Sequence, residues 1–486
     1  MIQFGTDGWR GIISDDFTFN NVRLVAEGIA NYINGRGEAA QGIVIGYDSR
    51  FLSAVYAANC AAVIADKGIK VWMSDSILPT PALTWQVRDY GAAGGVMITA
   101  SHNPGEYNGL KFKASYCGSA SVEIMAEIEK CVWTLEDSGL VFPEVTMSPT
   151  VEYFTPQASY LEHVQEMLDK RTLAGFNGKI IFDVMHGAAM GYPSALAKIY
   201  GLDMVELHSE FNPSFGGVNP EPIEKNLAEL RQAMKQHKAC IGLATDGDGD
   251  RIGAMDADGR FINPHQIMAL LTKYLVEKRG WTGGVAQTLT VSELVKRTAK
   301  KYGLKLYETP VGFKYITNLM LNEDILIGGE ESGGIGLKNY IPERDGLMLG
   351  FILVEMVAAY GMTLGQLIDE MMDGLGWFYY GREDLHLDMD KKECLMQALA
   401  GVTRTLDGLE ILSSNLSDGC KLYLADGWVM FRASGTEPVV RIYAEANDPN
   451  RLREILDIAM RYANNGGNQQ SSDSNCSHRD LFLPTL

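Results

Sequence analysis

Apolar and polar positions alternate in blocks along the first 100 residues. Three short apolar runs, "GIVIGY", "KVWMSD" and "GGVMITA", have the length of buried strands. Between them, "AVYAANCAAVIADKG" and "TPALTWQVRDYG" have the length of helices, the first ending at Gly68 and the second opening with Thr80-Pro81. Strands separated by such helices predict a parallel, doubly wound α/β sheet.

The same pattern restarts twice. "GKIIFDVMHGAA" and "ACIGLATDGDGDR" each predict a strand that runs into a loop. A third round follows with the strand "DILIGG" and the apolar helix "GLMLGFILVEMVAAYG". No strict short-period repeat is present, so three related α/β units are predicted and not a solenoid.

The last part of the chain changes character. Short β-like runs around tight turns precede the helix "NRLREILDIAMRYA", which predicts a smaller α+β domain. The residues beyond Asn464 are rich in Gly, Asn, Gln and Ser and predict a disordered tail. The predicted fold is therefore three tandem mixed α/β domains, at residues 1–149, 150–255 and 256–371, an α+β domain at residues 372–465, and a tail at residues 466–486.

Composition and charge limit the partners. The 486 residues, 46% hydrophobic and 21% charged, suit a globular chain of three or four domains. The net charge of -19 argues against nucleic acid and anionic membrane. The seven cysteines show no zinc spacing or disulfide framework. Without a signal peptide or a membrane-length apolar run, we expect a cytoplasmic monomer or small homo-oligomer.

The stretch "GVMITASHNPGEYNGLKFK" places two chemically active side chains at a strand end. An apolar run ends at Thr99, and Asn103-Pro104 predicts a turn. Ser101 and His102 should therefore lie on a loop at the carboxyl end of a strand, where open α/β sheets bind ligands. Alternatively, the serine hydroxyl only satisfies the turn.

The stretch "TDGDGDR" carries Asp246, Asp248 and Asp250 at alternate positions. In an extended loop these carboxylates converge, which is unfavourable unless a cation lies among them, and hard oxygen ligands indicate Mg²⁺ or Ca²⁺. An EF-hand is disfavoured because Arg251 and Ala257 occupy its Gly and Glu positions. A solvated acidic turn remains an alternative, as does a haloacid-dehalogenase-like phosphatase with Asp246 as nucleophile.

Two further Gly-rich turns carry candidate binding groups. Guanidinium, hydroxyl and backbone N–H donors suit a phosphate dianion in the turn "RASGTEP" and the strand that follows it. The candidates there are Arg432, Ser434, Gly435, Thr436 and Arg441. In "GGEESGG", Glu330, Glu331 and Ser332 are either acceptors for sugar hydroxyls or ordinary acidic surface.

Isolated bases lie beside glycines in several loops. They are Arg10, Lys111, Arg251 and Lys314. Each alone is expected to be solvated. Together they would concentrate positive charge locally, as an anionic ligand of an acidic protein requires.

Taken in order, "FGTDGWRG", "TASHNP", "DGDGDR", "GEESGG" and "RASGTEP" resemble the α-D-phosphohexomutase family, the phosphoglucomutases and phosphomannomutases. The resemblance runs from residue 4 to about residue 443. It implies three α/β domains and a smaller fourth domain around a central cleft. It also implies an enzyme that interconverts hexose 1-phosphate and hexose 6-phosphate, with hexose 1,6-bisphosphate as intermediate and activator.

The resemblance gives each loop an expected role. Ser101 would carry a phosphoryl group, and Mg²⁺ would be held by that group with Asp246, Asp248 and Asp250. Arg10 and Lys111 would flank the phosphoryl group, and Lys111, ahead of His102, would transfer protons. The substrate would be bound by Arg251, Lys314, Glu330, Ser332 and the "RASGTEP" residues.

Three departures from family patterns bear on the hexose. Bifunctional phosphomannomutase/phosphoglucomutases tend to carry His where this chain has Gly334. Phosphoglucosamine mutases usually carry Gln or Met in place of Glu331. The stretches "VGFKYI" and "GEESGG" are similar to those of phosphoglucomutases, although Val311 stands where the classical phosphoglucomutases have Thr. Glucose is therefore expected, with mannose and glucosamine as alternatives within the family.

Overall fold

The computed structural model describes residues 2–5, 7–140, 142, 150–434 and 438–466. Two compact units make up the chain, Met1–Trp377 and Phe378–Leu486. The predictions for Gly435 and Thr436, for a boundary at Pro149 and for the tail beyond Gly466 lie outside the described residues.

The first sheet has seven strands, and its mixed direction corrects the wholly parallel sheet predicted above. Its strands are β1 (Trp9–Ile12), β2 (Ile43–Tyr47), β3 (Val71–Ser74), β4 (Gly94–Ile98), β5 (Tyr107–Ala114), β6 (Gly118–Ser119) and β7 (Val151–Phe154). The order is β1-β5-β4-β2-β3-β7, with β6 beside β5. Strands β4, β2, β3 and β7 run parallel, whereas β5 is antiparallel to β4 and β1 to β5. The loop at residues 99–106 is too short for a parallel crossover, which needs a dozen or more residues.

Four helices accompany this sheet. They are α1 (Phe19–Gly35), α2 (Ser53–Asp66), α3 (Thr80–Tyr90) and α4 (Val122–Asp137). Helix α3 begins after Pro79, has Pro81 in its first turn, and ends at Gly91 in the left-handed conformation that glycine tolerates best. Both helices predicted in this region are present.

The second sheet has five strands and places its central strand end at the acidic loop. Its strands are β8 (Lys179–Asp183), β9 (Asp203–Leu207), β10 (Ile241–Thr245), β11 (Ile252–Asp256) and β12 (Phe261–Ile262), in the order β12-β11-β10-β8-β9. The accompanying helices are α5 (Gln157–Glu166), α6 (Lys170–Ala174), α7 (Tyr192–Tyr200) and α8 (Ala228–His237). Strand β10 is buried throughout and ends immediately before Asp246.

The third sheet has the order β14-β13-β15-β16. Its strands are β13 (Gly284–Thr288), β14 (Leu306–Thr309), β15 (Ile325–Gly329) and β16 (Ile335–Leu337). Its helices are α9 (Pro264–Glu277), α10 (Glu293–Lys301), α11 (Phe313–Asn322), α12 (Gly346–Tyr360) and α13 (Leu364–Leu375). Asp345 caps α12 by accepting the Met348 N–H at 2.9 Å.

Helix α12 is apolar nearly all round because most of its residues are buried against the other elements. In the described part of the chain no single helix is long and apolar enough to cross a membrane. By length and composition only, α12 and α13 pass that test as a pair bent by 76°.

The second unit is a small α+β fold. Its main sheet is antiparallel, in the order β17-β23-β22-β21-β20, beside a short hairpin of β18 and β19. The strands are β17 (Tyr379–His386), β18 (Thr405–Leu406), β19 (Leu409–Glu410), β20 (Ser413–Asn415), β21 (Cys420–Tyr423), β22 (Gly427–Ala433) and β23 (Val439–Ala446). Helices α14 (Met389–Ala400) and α15 (Pro449–Asn464) complete the unit.

Candidate active site

Ser101 lies at the turn that follows β4, with only 1% of its surface exposed. Its backbone adopts a left-handed φ of 54°, which is unfavourable for a residue with a side chain. The Thr99 hydroxyl accepts the Ser101 N–H at 2.9 Å. The Ser101 hydroxyl donates to Asp246 Oδ2 at 2.8 Å. The serine loop and the acidic loop, predicted from separate stretches of sequence, therefore touch.

The three aspartates of the acidic loop lie close together and are fully buried. Oxygen atoms of Asp246, Asp248 and Asp250 lie within 4.8 Å of one another. The N–H groups of Asp250 and Arg251 donate to Asp246 Oδ1 at 3.0 and 3.2 Å. Burial and the charges of Asp248 and Asp250 raise the pKa of Asp246 well above its ordinary value.

This loop has the donor set of a hard divalent cation. The Oδ1 atoms of Asp248 and Asp250 are buried and accept no hydrogen bond from the described residues. Buried carboxylate oxygens without partners are costly, and a cation among them would remove that cost. Carboxylates alone, without nitrogen or sulfur ligands, favour Mg²⁺ or Ca²⁺ over transition metals.

Lys111 of β5 faces the acidic loop from the first sheet. Its Nζ lies 2.8 Å from Asp248 Oδ2, 3.3 Å from Asp250 Oδ2 and 2.9 Å from Asp7 Oδ2. Burial alone would lower the pKa of this ammonium, but the three carboxylates outweigh burial and raise it. Lys111 is therefore a fixed positive charge in the site at neutral pH.

Arg344, which the sequence reasoning missed, connects three loops. Its Nη2 lies 2.7 Å from both Asp7 Oδ2 and Asp250 Oδ2. Its Nη1 lies 3.5 Å from Glu330 Oε2 in the candidate sugar loop. The signal available in the sequence was the charged triplet "ERD" directly before the apolar helix α12.

Asp7 and Thr80 were also missed. The Thr80 hydroxyl donates to Asp248 Oδ2 at 2.5 Å, which fixes this carboxylate from the start of α3. Burial opposes ionisation of Asp7, but Lys111, Lys113 and Arg344 hold its pKa well below the ordinary value. Neither residue stands out in sequence, because a lone Asp or Thr in a loop is common surface.

The candidate sugar loop follows β15 and contacts the start of β11, directly after the acidic loop. The Ile252 N–H donates to the Gly333 carbonyl at 3.1 Å, and Glu330 Oε1 accepts the Gly312 N–H at 3.0 Å. Burial chiefly raises the pKa of Glu330 to about 7, Glu331 adds to the rise, and Arg344 opposes it. Ser332 lies half-buried in the same turn.

The predicted bases differ in how close they come to these loops. Arg10 of β1 donates from Nη1 to Asn103 Oδ1 at 2.6 Å, which brings it to the serine loop. Arg251 Nε lies 3.8 Å from Asp246 Oδ2. Lys314 lies in the first turn of α11, and the half-buried His102 directly follows Ser101.

The described part of the "RASGTEP" turn lies at the end of β22 in the second unit. Arg432 Nε lies 3.1 and 3.0 Å from the two carboxylate oxygens of Asp418. Arg441 on β23 lies opposite Arg432 in the strand register. The Ser434 carbonyl accepts a hydrogen bond from Lys392 Nζ at 2.9 Å, a base that the sequence reasoning missed. Gly435 and Thr436 lie outside the described residues.

Family models of four successive domains match most of the chain. Described as phosphoglucomutase/phosphomannomutase alpha/beta/alpha domains I, II and III and C-terminal domain, they match residues 1–138, 158–259, 263–375 and 388–461. These matches confirm the resemblance found in the loops and the predicted succession of three α/β domains and a smaller C-terminal domain.

Relatives align with nearly their whole length. A phosphoglucomutase/phosphomannomutase of Thermococcus kodakarensis is 29% identical over 94% of this chain and 97% of its own. A phosphoglucosamine mutase of Natranaerobius thermophilus is 30% identical over 93% and 96%. A solved structure from Thermus thermophilus, provisionally described as a phosphomannomutase, has a TM-score of 0.83 and 34% identity over 95% of this chain and 99% of its own. The chain thus belongs to the phosphoglucomutase/phosphomannomutase family of phosphohexomutase enzymes.

Proposed function

We propose that this enzyme interconverts hexose 1-phosphate and hexose 6-phosphate through a phosphorylated Ser101 and a hexose 1,6-bisphosphate. The observation that carries the proposal is the 2.8 Å hydrogen bond from the Ser101 hydroxyl to Asp246 in a buried acidic cluster. A serine hydroxyl is a weak nucleophile, but a serine phosphate held beside fixed positive charges is a poised donor.

Asp246, Asp248 and Asp250 would hold Mg²⁺, with Ser101 joining them through its phosphate. When bound, this ion supplies positive charge for the transferring phosphoryl oxygens. Lys111 contacts the acidic loop and Arg10 contacts the serine loop, and both would flank the same oxygens.

The transfer exchanges one P–O bond for another. The bond between phosphorus and Ser101 Oγ breaks as the bond to O6 of a hexose 1-phosphate forms, while O6 loses a proton and Ser101 Oγ gains one. After the bisphosphate has turned round, the bond between O1 and its phosphorus breaks as the bond to Ser101 Oγ forms, which regenerates the serine phosphate. We assign the proton transfers to Lys111, with His102 as the second choice: the Lys111 ammonium would give its proton to the departing oxygen, and the amine so formed would take the proton from the attacking hydroxyl.

The remaining candidates would orient the sugar. Glu330 and Ser332 would bind hydroxyls near the middle of the ring in both orientations. The phosphate that the substrate keeps would be bound by Arg432, Ser434, Gly435, Thr436 and Arg441. Arg251 and Lys314 would also bind the substrate. Charge-assisted bonds from guanidinium groups are the strongest available to a dianion.

We propose glucose as the hexose. The chain keeps Glu331, where phosphoglucosamine mutases usually carry Gln or Met, and Gly334, where bifunctional enzymes tend to carry His. Glu331 accepts the Thr290 hydroxyl at 2.5 Å, which orients the carboxylate in the candidate sugar loop. Mannose and glucosamine phosphates are the alternatives, since relatives carry all three names.

An aspartyl-phosphate phosphatase is the candidate from another class, and the geometry argues against it. Its nucleophile would be Asp246, yet both oxygens of that carboxylate already accept hydrogen bonds from the Ser101 hydroxyl and two backbone N–H groups. Each of these hydrogen bonds stabilises the carboxylate and so lowers its nucleophilicity.

The test supplies Mg²⁺, glucose 1-phosphate and a trace of glucose 1,6-bisphosphate, and measures glucose 6-phosphate and free phosphate together. We expect glucose 6-phosphate without free phosphate, lost in Ser101→Ala and retained in the control Ser138→Ala, which changes an exposed helix end. Stoichiometric free phosphate that persists in Ser101→Ala would move the nucleophile to Asp246. Mannose and glucosamine 1-phosphates, run in parallel, decide the hexose.

A further inference from the structure

Arg50 lies beneath the serine loop and donates all four of its terminal N–H groups to that loop. Nη2 donates to the carbonyls of Ser101 and Asn103 at 2.7 and 2.6 Å. Nη1 donates to the carbonyls of Pro104 and Tyr107 at 2.7 and 3.0 Å. The side chain is fully buried, so these bonds do not compete with water. One guanidinium therefore gathers four carbonyls of the segment that carries Ser101.

Arg50 is itself held from both sides. Its Nε lies 3.1 Å from Asp48 Oδ2, and Asp48 Oδ1 accepts the Arg50 N–H at 2.9 Å and the Ser53 hydroxyl at 2.7 Å. The Phe215 ring covers the guanidinium, with its centroid 4.7 Å from the guanidinium carbon. The guanidinium therefore has little freedom to follow a loop that moves.

The loop that Arg50 holds is in an unfavourable conformation. Ser101 has a left-handed φ of 54° without being glycine, and such a conformation persists only where the surroundings determine it. The Thr99 hydroxyl bonds the Ser101 N–H, and Arg50 bonds the Ser101 carbonyl, so both sides of the residue are fixed. The result aims the Ser101 hydroxyl at Asp246.

We infer that Arg50 is a positioning residue that holds Ser101 in the geometry for phosphoryl transfer, without touching the substrate itself. The inference rests on the proposed function, because it assigns Arg50 a part in the same reaction. A lysine at this position would place one ammonium where the guanidinium places two nitrogens in fixed geometry, so it could not hold four carbonyls at once.

The experiment compares wild type, Arg50→Lys and the control Arg36→Lys, which changes an arginine of the same domain whose side chain is 48% exposed. We expect Arg50→Lys to lower kcat by about 100-fold, since small misplacements of a reacting group cost about that much. KM should stay within about threefold, because ground-state binding of the sugar does not use this loop carbonyl network. Arg36→Lys should match wild type in both.

Hydrogen exchange of the peptide at residues 99–107 provides a readout independent of turnover. In Arg50→Lys we expect these amides to exchange at least about tenfold faster than in wild type, with the rest of the first unit unchanged. Unchanged kcat and unchanged exchange in a folded Arg50→Lys protein would overturn the inference. A rise in exchange spread over the whole unit would also overturn it, since Arg50 would then serve stability alone.

Two further outcomes are distinguishable. If wild type forms no hexose 6-phosphate, the proposed function fails, whereas the exchange comparison still decides whether Arg50 holds the loop. If Arg50→Lys does not fold, Phe215→Leu removes the ring over the guanidinium and keeps Arg50. That variant should lower kcat by about threefold or more and speed exchange at residues 99–107. If Phe215→Leu changes neither kcat nor the exchange rate at residues 99–107, the inference is overturned.

Discussion

The Glu330→Gln substitution examines a buried carboxyl that titrates near neutral pH. Burial, with help from Glu331 and against the effect of Arg344, raises the pKa of Glu330 to about 7 in the folded protein. In the unfolded chain the carboxyl has its ordinary pKa of 4.5. The folded state therefore binds this proton more tightly than the unfolded state does.

The sign and size of the effect on stability follow from this difference. Below about pH 4.5 the carboxyl is protonated in both states. As the pH rises to 7, the unfolded chain releases its proton first, so the free energy of unfolding falls. The gap between about 7 and 4.5 corresponds to about 3 kcal/mol, which is lost once the pH exceeds 7.

Glutamine cannot ionise, and its amide oxygen can still accept the Gly312 N–H. Glu330→Gln should therefore be more stable than wild type at pH 8, by up to about 3 kcal/mol, and should have no such advantage near pH 4.5. The attraction between the ionised Glu330 and Arg344 does not change this figure, because its effect is already contained in the pKa of about 7. Urea unfolding across this pH range measures the difference. A difference that stays constant from pH 5 to pH 8 would refute the reasoning.

Activity should change with pH in the opposite sense from stability. On the proposed function, the ionised Glu330 carboxylate would accept sugar hydroxyls, so kcat/KM of wild type should rise through about pH 7 and that of Glu330→Gln should not. The phosphate of the substrate titrates in the same pH range, near pH 6, in assays of every variant. The role of Glu330 is therefore judged from the difference between the profiles of wild type and the variants. Glu331→Gln removes a charge that raises the pKa of Glu330. The midpoint of the kcat/KM profile of this variant should therefore lie at a lower pH than that of wild type.

Three further substitutions test other parts of the site. Lys111→Met should lower kcat by about 100-fold or more in steady-state assays, and an unchanged kcat would exclude a role for this charge. Asp248→Asn should raise the Mg²⁺ concentration for half-maximal activity at least about tenfold, which a Mg²⁺ titration measures. Gly247→Ala would place a Cβ against the Ser101 carbonyl and so displace the serine loop, and intact-mass analysis should find less phosphorylated protein. The control Gly35→Ala adds a Cβ that meets no neighbouring atom and should match wild type.

The two central loops could be predicted because each follows a strand with a strong local pattern. The apolar run before Thr99 and the run before Asp246 identify buried strands, and the carboxyl ends of such strands are where α/β proteins bind ligands. That Ser101 and Asp246 touch was implied only by the family resemblance. The pairing depends on how two sheets pack, and no local pattern encodes it.

The partners that the sequence did not reveal come from distant parts of the chain. Arg344 bonds Asp7 across 337 positions, and Lys111 bonds Asp248 across 137. A base or acid in a loop is usually solvated, so only its placement distinguishes it. The direction of β5 was also not predicted. The alternation of helices and strands predicts parallel neighbours, whereas β4 and β5 are joined only by a short loop and pair antiparallel.

The charges of the assembled site revise the idea of a local positive patch. Among the described residues, the four carboxylates Asp7, Asp246, Asp248 and Asp250 lie within 4.0 Å of four bases, Lys111, Lys113, Arg251 and Arg344. Three of these bases also contact the further carboxylates Glu221, Glu330 and Glu343. Little of their positive charge is therefore left for a phosphoryl group. One divalent cation among the aspartates would offset the carboxylate charge, and Lys111 and Arg10 would then attract a serine phosphate. The acidic loop is therefore the element on which the use of all the bases depends.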